Sequence, residues 1–137
     1  MPEPGRHRAP DDVDYHRLLE LRTALRRFLR WSEEQAKGVG LTPAQHQLLL
    51  AIRGHDDPLG PTISDVADYL LLRHHSAVEL VHRAVDAGLV VRRPDPEEHR
   101  AVRLALTSEG AAKLSSVSSR HLEELARLAP IISALSR

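Results

Sequence analysis

Between residues 73 and 103 the chain gathers the side chains that could do chemistry. His74, His75, Ser76 and Glu79 fall at the start and along one outer face of a helical pattern, with His82 and Arg83 on the flank. Imidazole, hydroxyl and carboxylate groups so placed can hydrogen-bond to nucleic-acid bases or phosphates, and Glu79 can accept from cytosine N4. Arg100 and Arg103 follow in a short alternating segment. There one guanidinium can enter a minor groove and the other can meet phosphate. The same residues also suit a plain solvated face, with Arg83 paired to Glu79 or Asp86 at helical spacing. Zinc is a poorer reading. His74 and His75, adjacent on a helix, diverge by about 100° and fit a chelate badly even with His82 nearby. Neither a metal nor a cofactor is expected.

Charge qualifies the nucleic-acid reading. The 137 residues carry 19 basic and 19 acidic side chains, so any such surface must come from local segregation rather than net charge. Within 73–103, Arg73, Arg83, Arg92, Arg93, Arg100 and Arg103 face Glu79, Asp86, Asp95, Glu97 and Glu98. His74, His75, His82 and His99 would add positive charge to this segment on acidification, since a free imidazole titrates near pH 6.5. The absence of Cys excludes disulfides, thiolate metal sites and thiol redox switches. His-Glu-x-x-His, Gly-x-Ser-x-Gly, P-loop and dinucleotide fingerprints are all missing, so no enzyme is expected. Without a membrane-length apolar run or an apolar leader, the expected compartment is the cytoplasm.

The elements that must position these groups are legible in periodicity. Residues 1–12, rich in Pro and charge, read as a disordered arm. From Val13 the apolar stripe Leu18, Leu21, Leu25 and Phe28 predicts a helix that ends at Gly38-Val39-Gly40. Thr42-Pro43 opens a second helix with Leu48, Leu49 and Ile52 inward. Thr62 and Asp65 form a capping box before a third, and His74 to Ala87 reads as a fourth, stopped by Gly88. The period then changes. Leu89–Arg93 and Ala101–Leu106 flank the polar turn Pro94-Asp95-Pro96-Glu97-Glu98-His99, which predicts a β-hairpin. Leu114, Val117, His121, Leu125, Leu128, Ile132 and Leu135 mark a last helical region, which Pro130 is expected to divide. The result is mainly α with a small β-hairpin. Two short helices, a tight turn and a hairpin make a winged helix-turn-helix.

Residues 41–110 resemble the multiple-antibiotic-resistance-regulator (MarR) family of winged helix-turn-helix transcription regulators. The likeness rests on LTPAQHQLLLAI, TISDVADYL, HHSAVELVHRAVDAGLVVRR and DPEEHRAVRLALTSEG, the last being wing-like. It implies a DNA-binding domain at 41–110 between an N-terminal dimerisation helix at 13–40 and C-terminal dimerisation helices at 111–137. It also implies a homodimer on a double-stranded DNA operator, most often a repressor relieved by a small-molecule effector. The family's Asp-x-Arg wing element stands here as Glu98-His99-Arg100, which implies a Glu98–Arg100 ion pair. Tyr15 and Trp31, on the first helix, lie near where the resemblance places an effector pocket. The rival reading is a winged-helix protein-interaction module that does not bind DNA, favoured by the zero net charge and by Glu79.

Overall fold

The computed structural model describes residues 8–98 and 100–135; residues 1–7, His99 and 136–137 fall outside it. Five helices and one hairpin follow in order: α1 (Asp12–Gly38), α2 (Pro43–Gly54), α3 (Ile63–Leu70), α4 (His74–Asp86), β1 (Val90–Pro94), β2 (Val102–Leu106) and α5 (Ser108–Leu135). Most of the expectation of a disordered arm concerns residues outside this description. Its last part is ordered: Asp11 caps α1 in a reciprocal box with Asp14, and Arg8 reaches both carboxylates, at 3.2 and 2.9 Å. The box satisfies the backbone N–H groups of Asp11 and Asp14 at the helix start.

The other starts and stops follow local chemistry. Thr42 with Gln45 and Thr62 with Asp65 form capping boxes, and Pro43 occupies the first turn of α2. Gly40 and Gly88 adopt positive φ just past α1 and α4. Between α3 and α4 the left-handed residue is instead Leu71, at φ 53° and 91% exposed. One expectation fails: α5 runs unbroken through Pro130. Proline removes a single N–H donor and fixes φ near a helical value. A long helix with neighbouring turns intact on both sides absorbs that loss.

The core joins the helix-turn-helix to the hairpin. Leu48 and Leu49 from α2, Val66 from α3, Ala77, Val81 and Ala84 from α4, Leu89, Val90 and Leu104 from the hairpin, and Val117 from α5 are essentially sealed from solvent. The strands pair antiparallel, with Val90 opposite Leu106 and Arg93 opposite Arg103. The hairpin base is pinned on both sides. Leu104 N–H donates to Pro61 O at 3.0 Å and Thr107 N–H to Leu89 O at 3.0 Å. Gly60 and Gly110 allow close backbone approach there: a Cβ would lie 2.1 Å from the Leu104 oxygen or 2.2 Å from the Leu89 oxygen.

The arms α1 and α5 are packed far less completely. Leu21 and Phe28 are half-buried, whereas Leu18, Leu25, Leu29, Leu122, Leu125 and Ile131 are exposed. Between the two helices lies an apolar cleft of about 140 Å³ lined by Leu21, Leu25, Phe28, Leu125, Leu128 and Ile132.

Candidate nucleic-acid interface

The second helix of the helix-turn-helix is α4, whose inner stripe of Ala77, Val81 and Ala84 fixes which side faces out. His74, His75, Glu79, His82 and Arg83 are exposed, Val78 is 38% exposed and Ser76 is half-buried. Arg73 occupies the N-cap without a side-chain bond, so no side chain caps the N–H groups of the first turn. The polar groups along the helix pair with one another: Arg83 lies 3.9 Å from Glu79, and the His82 ring lies 3.3 Å from Asp86. Arg83 is therefore an ion-pair partner on its own helix as well as an exposed cation.

The wing is organised by Asp95, which is 5% exposed. One of its oxygens accepts from the backbone N–H groups of Glu97 (2.9 Å) and Glu98 (3.2 Å), and the other from Arg103 Nε (2.9 Å). The N–H bond from Glu97, then Arg103 and then Glu98, hold this carboxyl below the usual range. Arg103 also donates to Gly60 O at 3.1 Å and lies 3.8 Å from Asp57. Its bond to Asp95 pushes the guanidinium upward from its ordinary value.

Two expectations are corrected here. The wing ion pair is Asp95–Arg103; among the described residues none links Glu98 to Arg100. Arg103, expected to meet phosphate, is committed to the wing's interior, with a side chain only 20% exposed. The physical reason is strand geometry. Arg103 pairs with Arg93, and Asp95 lies two residues beyond Arg93 on the same face, within diagonal reach across the hairpin. Arg100 sits at the tip, exposed, and Arg92 and Arg93 are exposed along β1. None of these three has an ion pair among the described residues.

Tyr15 and Trp31 do not share a site within the chain. They are sixteen residues apart on α1, about 24 Å along its axis. Tyr15 is 58% exposed. Trp31 instead joins Phe28, Ser32 and His121 where α1 and α5 meet, and His46 of α2 packs on the same imidazole. Sequence reading placed His121 on an apolar stripe but missed His46. The signal was present, because His46, Leu49 and Ile52 recur every three residues. No group of three or more metal-ligating side chains occurs among the described residues, and no described helix is long and apolar enough to cross a membrane.

The MarR family model matches residues 39–101, from the end of α1 to the wing tip. No curated protein matches the chain. Solved structures do. A MarR family protein from Bacillus stearothermophilus matches with a TM-score of 0.73 and 22% identity, over 88% of this chain and 82% of its own. The S. aureus MepR–DNA complex matches at 0.68 and 19% identity, over 82% and 81%. CouR from Rhodococcus jostii RHA1, bound to p-coumaroyl-CoA, matches at 0.67 and 25% identity, over 85% and 78%. Residues 39–101 thus match the MarR family model, and the chain shares its winged-helix fold, arms included, with these solved structures.

Proposed function

We propose that the protein is a sequence-specific DNA-binding transcription regulator and not an enzyme, a cytoplasmic homodimer that represses from a pseudo-palindromic operator and is relieved by a small ligand. The observation that carries this reading is the free cationic wing, Arg92, Arg93 and Arg100, beside an outward α4 with no side-chain cap on its first turn. His74, His75, Ser76, Glu79 and Arg83 read base edges and phosphates, and Arg100 enters the minor groove. Arg103 serves by holding the wing in shape. Two recognition helices, set about 34 Å apart, enter successive major grooves. Support comes from the fold shared with MepR, solved on DNA, and with CouR, solved with a ligand.

The second copy covers the apolar arm faces of residues 13–40 and 111–137, where Leu18, Leu25, Leu122 and Leu125 are exposed. Permanent interfaces of this kind bury more than about 2,000 Å². A ligand acts by binding unequally to two arm arrangements, which changes the separation of the recognition helices.

The test combines light scattering with band shift on the DNA upstream of the protein's own gene. A dimer that shifts this fragment in preference to random duplex supports the reading. A folded monomer at micromolar concentration sinks the two-half-site mechanism. The internal pairing of the α4 charges favours the rival, a winged-helix module that binds protein; a dimer indifferent to any duplex and to heparin would establish it.

A further inference from the structure

His46 and His121 belong to none of the surfaces assigned above. His46, on α2, is 7% exposed; His121 lies midway along α5. Their ring centroids are 4.9 Å apart, with planes at 57°. The cluster is closed by α1: Trp31 lies 4.9 Å from His121, and Phe28 meets it edge-on at 6.0 Å. Ser32 Oγ is 2.7 Å from His121 Nε2, and the Val117 carbonyl oxygen is 2.8 Å from His121 Nδ1. A carbonyl only accepts, so Nδ1 carries the proton and Nε2 accepts from the Ser32 hydroxyl. The partners thereby select one neutral tautomer. A second proton at Nε2 forces the Ser32 hydroxyl to turn round and places a cation against His46.

We propose that His46 and His121 form an acid-sensitive latch between the winged domain and the arms: neutral rings hold α2 against α1 and α5, and protonation opens the joint. Burial, and secondarily a charge on His121, hold the His46 imidazole below its ordinary range.

Among the described residues, no acid from the surrounding elements relieves that charge. On α5, Glu124, one turn beyond His121, is tied to Arg127, and Arg120 is bonded to Gln35 of α1 at 3.0 Å. The acids of α1 nearest the cluster, Glu33 and Glu34, are exposed. From α3, Asp65 pairs with His55, about 13 Å further along α2, and Arg103 of β2 is held by Asp95. The charged residues of α4 point outward and pair with one another.

The sign follows from linkage. With His46 depressed in the closed form, the open or unfolded chain binds more protons. The latch's contribution is complete above the ordinary imidazole value near pH 6.5 and is lost as pH falls below it. The latch does not depend on DNA binding; only its consequence for operator affinity rests on the reading above.

Trp31 is the sole tryptophan and lies against His121, so contact quenching of indole emission by imidazolium reports this ring alone. The full chain is titrated from pH 8 to pH 5 by Trp emission, and its thermal unfolding is followed by circular dichroism at pH 7.5 and 5.5. Expected are one fall in emission and a Tm lower by about 2–4 °C at pH 5.5. His121→Gln abolishes the emission transition. His46→Gln removes most of the Tm difference. Flat wild-type emission with an unchanged Tm overturns the proposal, as does a transition that survives His121→Gln. Should either variant fail to fold, the wild-type imidazole resonances decide. A His46 signal that lags the exposed histidines to lower pH supports the latch, and one that titrates with them refutes it.

Discussion

The wing and the recognition helix lie side by side and manage charge in opposite ways. On α4 Arg83 has an acid one turn away in Glu79, and the His82 ring has Asp86. In the wing the buried acid, Asp95, is consumed by Arg103 and two backbone N–H groups, which leaves Arg92, Arg93 and Arg100 exposed without ion pairs among the described residues. A chain of zero net charge thus carries three exposed arginines without ion pairs, among the described residues, on its hairpin and, beside them, a helix whose one arginine faces an acid. On the function proposed above, attraction to a polyanion falls to the wing and discrimination to the helix.

The comparison requires a rigid wing, so the largest effect is expected at its base. Gly60 combines φ +87° with a backbone oxygen 2.1 Å from where a Cβ would stand. Gly60→Ala should cost roughly 1–3 kcal/mol from overpacking and about 1–2 kcal/mol more from the left-handed backbone. Urea unfolding measures this, and a loss under about 1 kcal/mol would mean that the hairpin base is not pinned.

Next in size is the contrast between free and paired arginines. Arg100→Ala should weaken operator binding by about 1–3 kcal/mol and flatten the salt slope by about one ion. Arg83→Ala should flatten the slope less, because Glu79 already offsets that charge. Equal slopes would erase the distinction between the two elements.

Asp95 sharpens the comparison through pH. Its carboxyl is held low by the N–H of Glu97, by Arg103 and by the N–H of Glu98, so its stabilisation is present above about pH 4 and is lost as pH falls through the lowered value. Amide resonances of Glu97 and Glu98 followed from pH 5 to pH 2 should move together with Arg103 Nε–H. In Asp95→Asn that shared transition should vanish. The smallest effect is expected from Glu79→Gln. Removal of one exposed acid should raise affinity for random duplex by only a few-fold in a filter-binding assay at low salt, and lowered affinity would mean that Glu79 orients Arg83 for phosphate contact.

Much of this architecture was legible because its signals are local. Thr42-Pro43 with Gln45, and Thr62 with Asp65, announce helix starts whatever surrounds them, and the alternation of Val102, Leu104 and Leu106 announces a strand. What escaped the sequence depends on long-range partners. Pro130 is a breaker by local rules, yet α5 passes through it. Arg103 and Arg100 look alike as residues three apart; only hairpin register shows that Asp95 lies beneath one of them. Tyr15 and Trp31 were assigned one pocket although the rise of a single helix separates them. His46 was hidden by its type, since a polar letter in an apolar stripe is easily read as an interruption of the core rather than a member of it.

The pinned hairpin base has a consequence for how such a chain can change length. Thr107 and Leu104 are tied to Leu89 and Pro61, and Gly110 and Gly60 leave no room for an added carbon. An insertion or deletion at the base would shift strand register and turn every wing side chain to the other face. The Asp95 clamp takes the N–H groups of Glu97 and Glu98, so the tip can be lengthened or shortened only beyond them, around exposed Arg100, while the frame beneath it stays in place. Variation in reach, whether natural or engineered, is confined to that tip, and a library built there would alter the length of the probe without disturbing its handle.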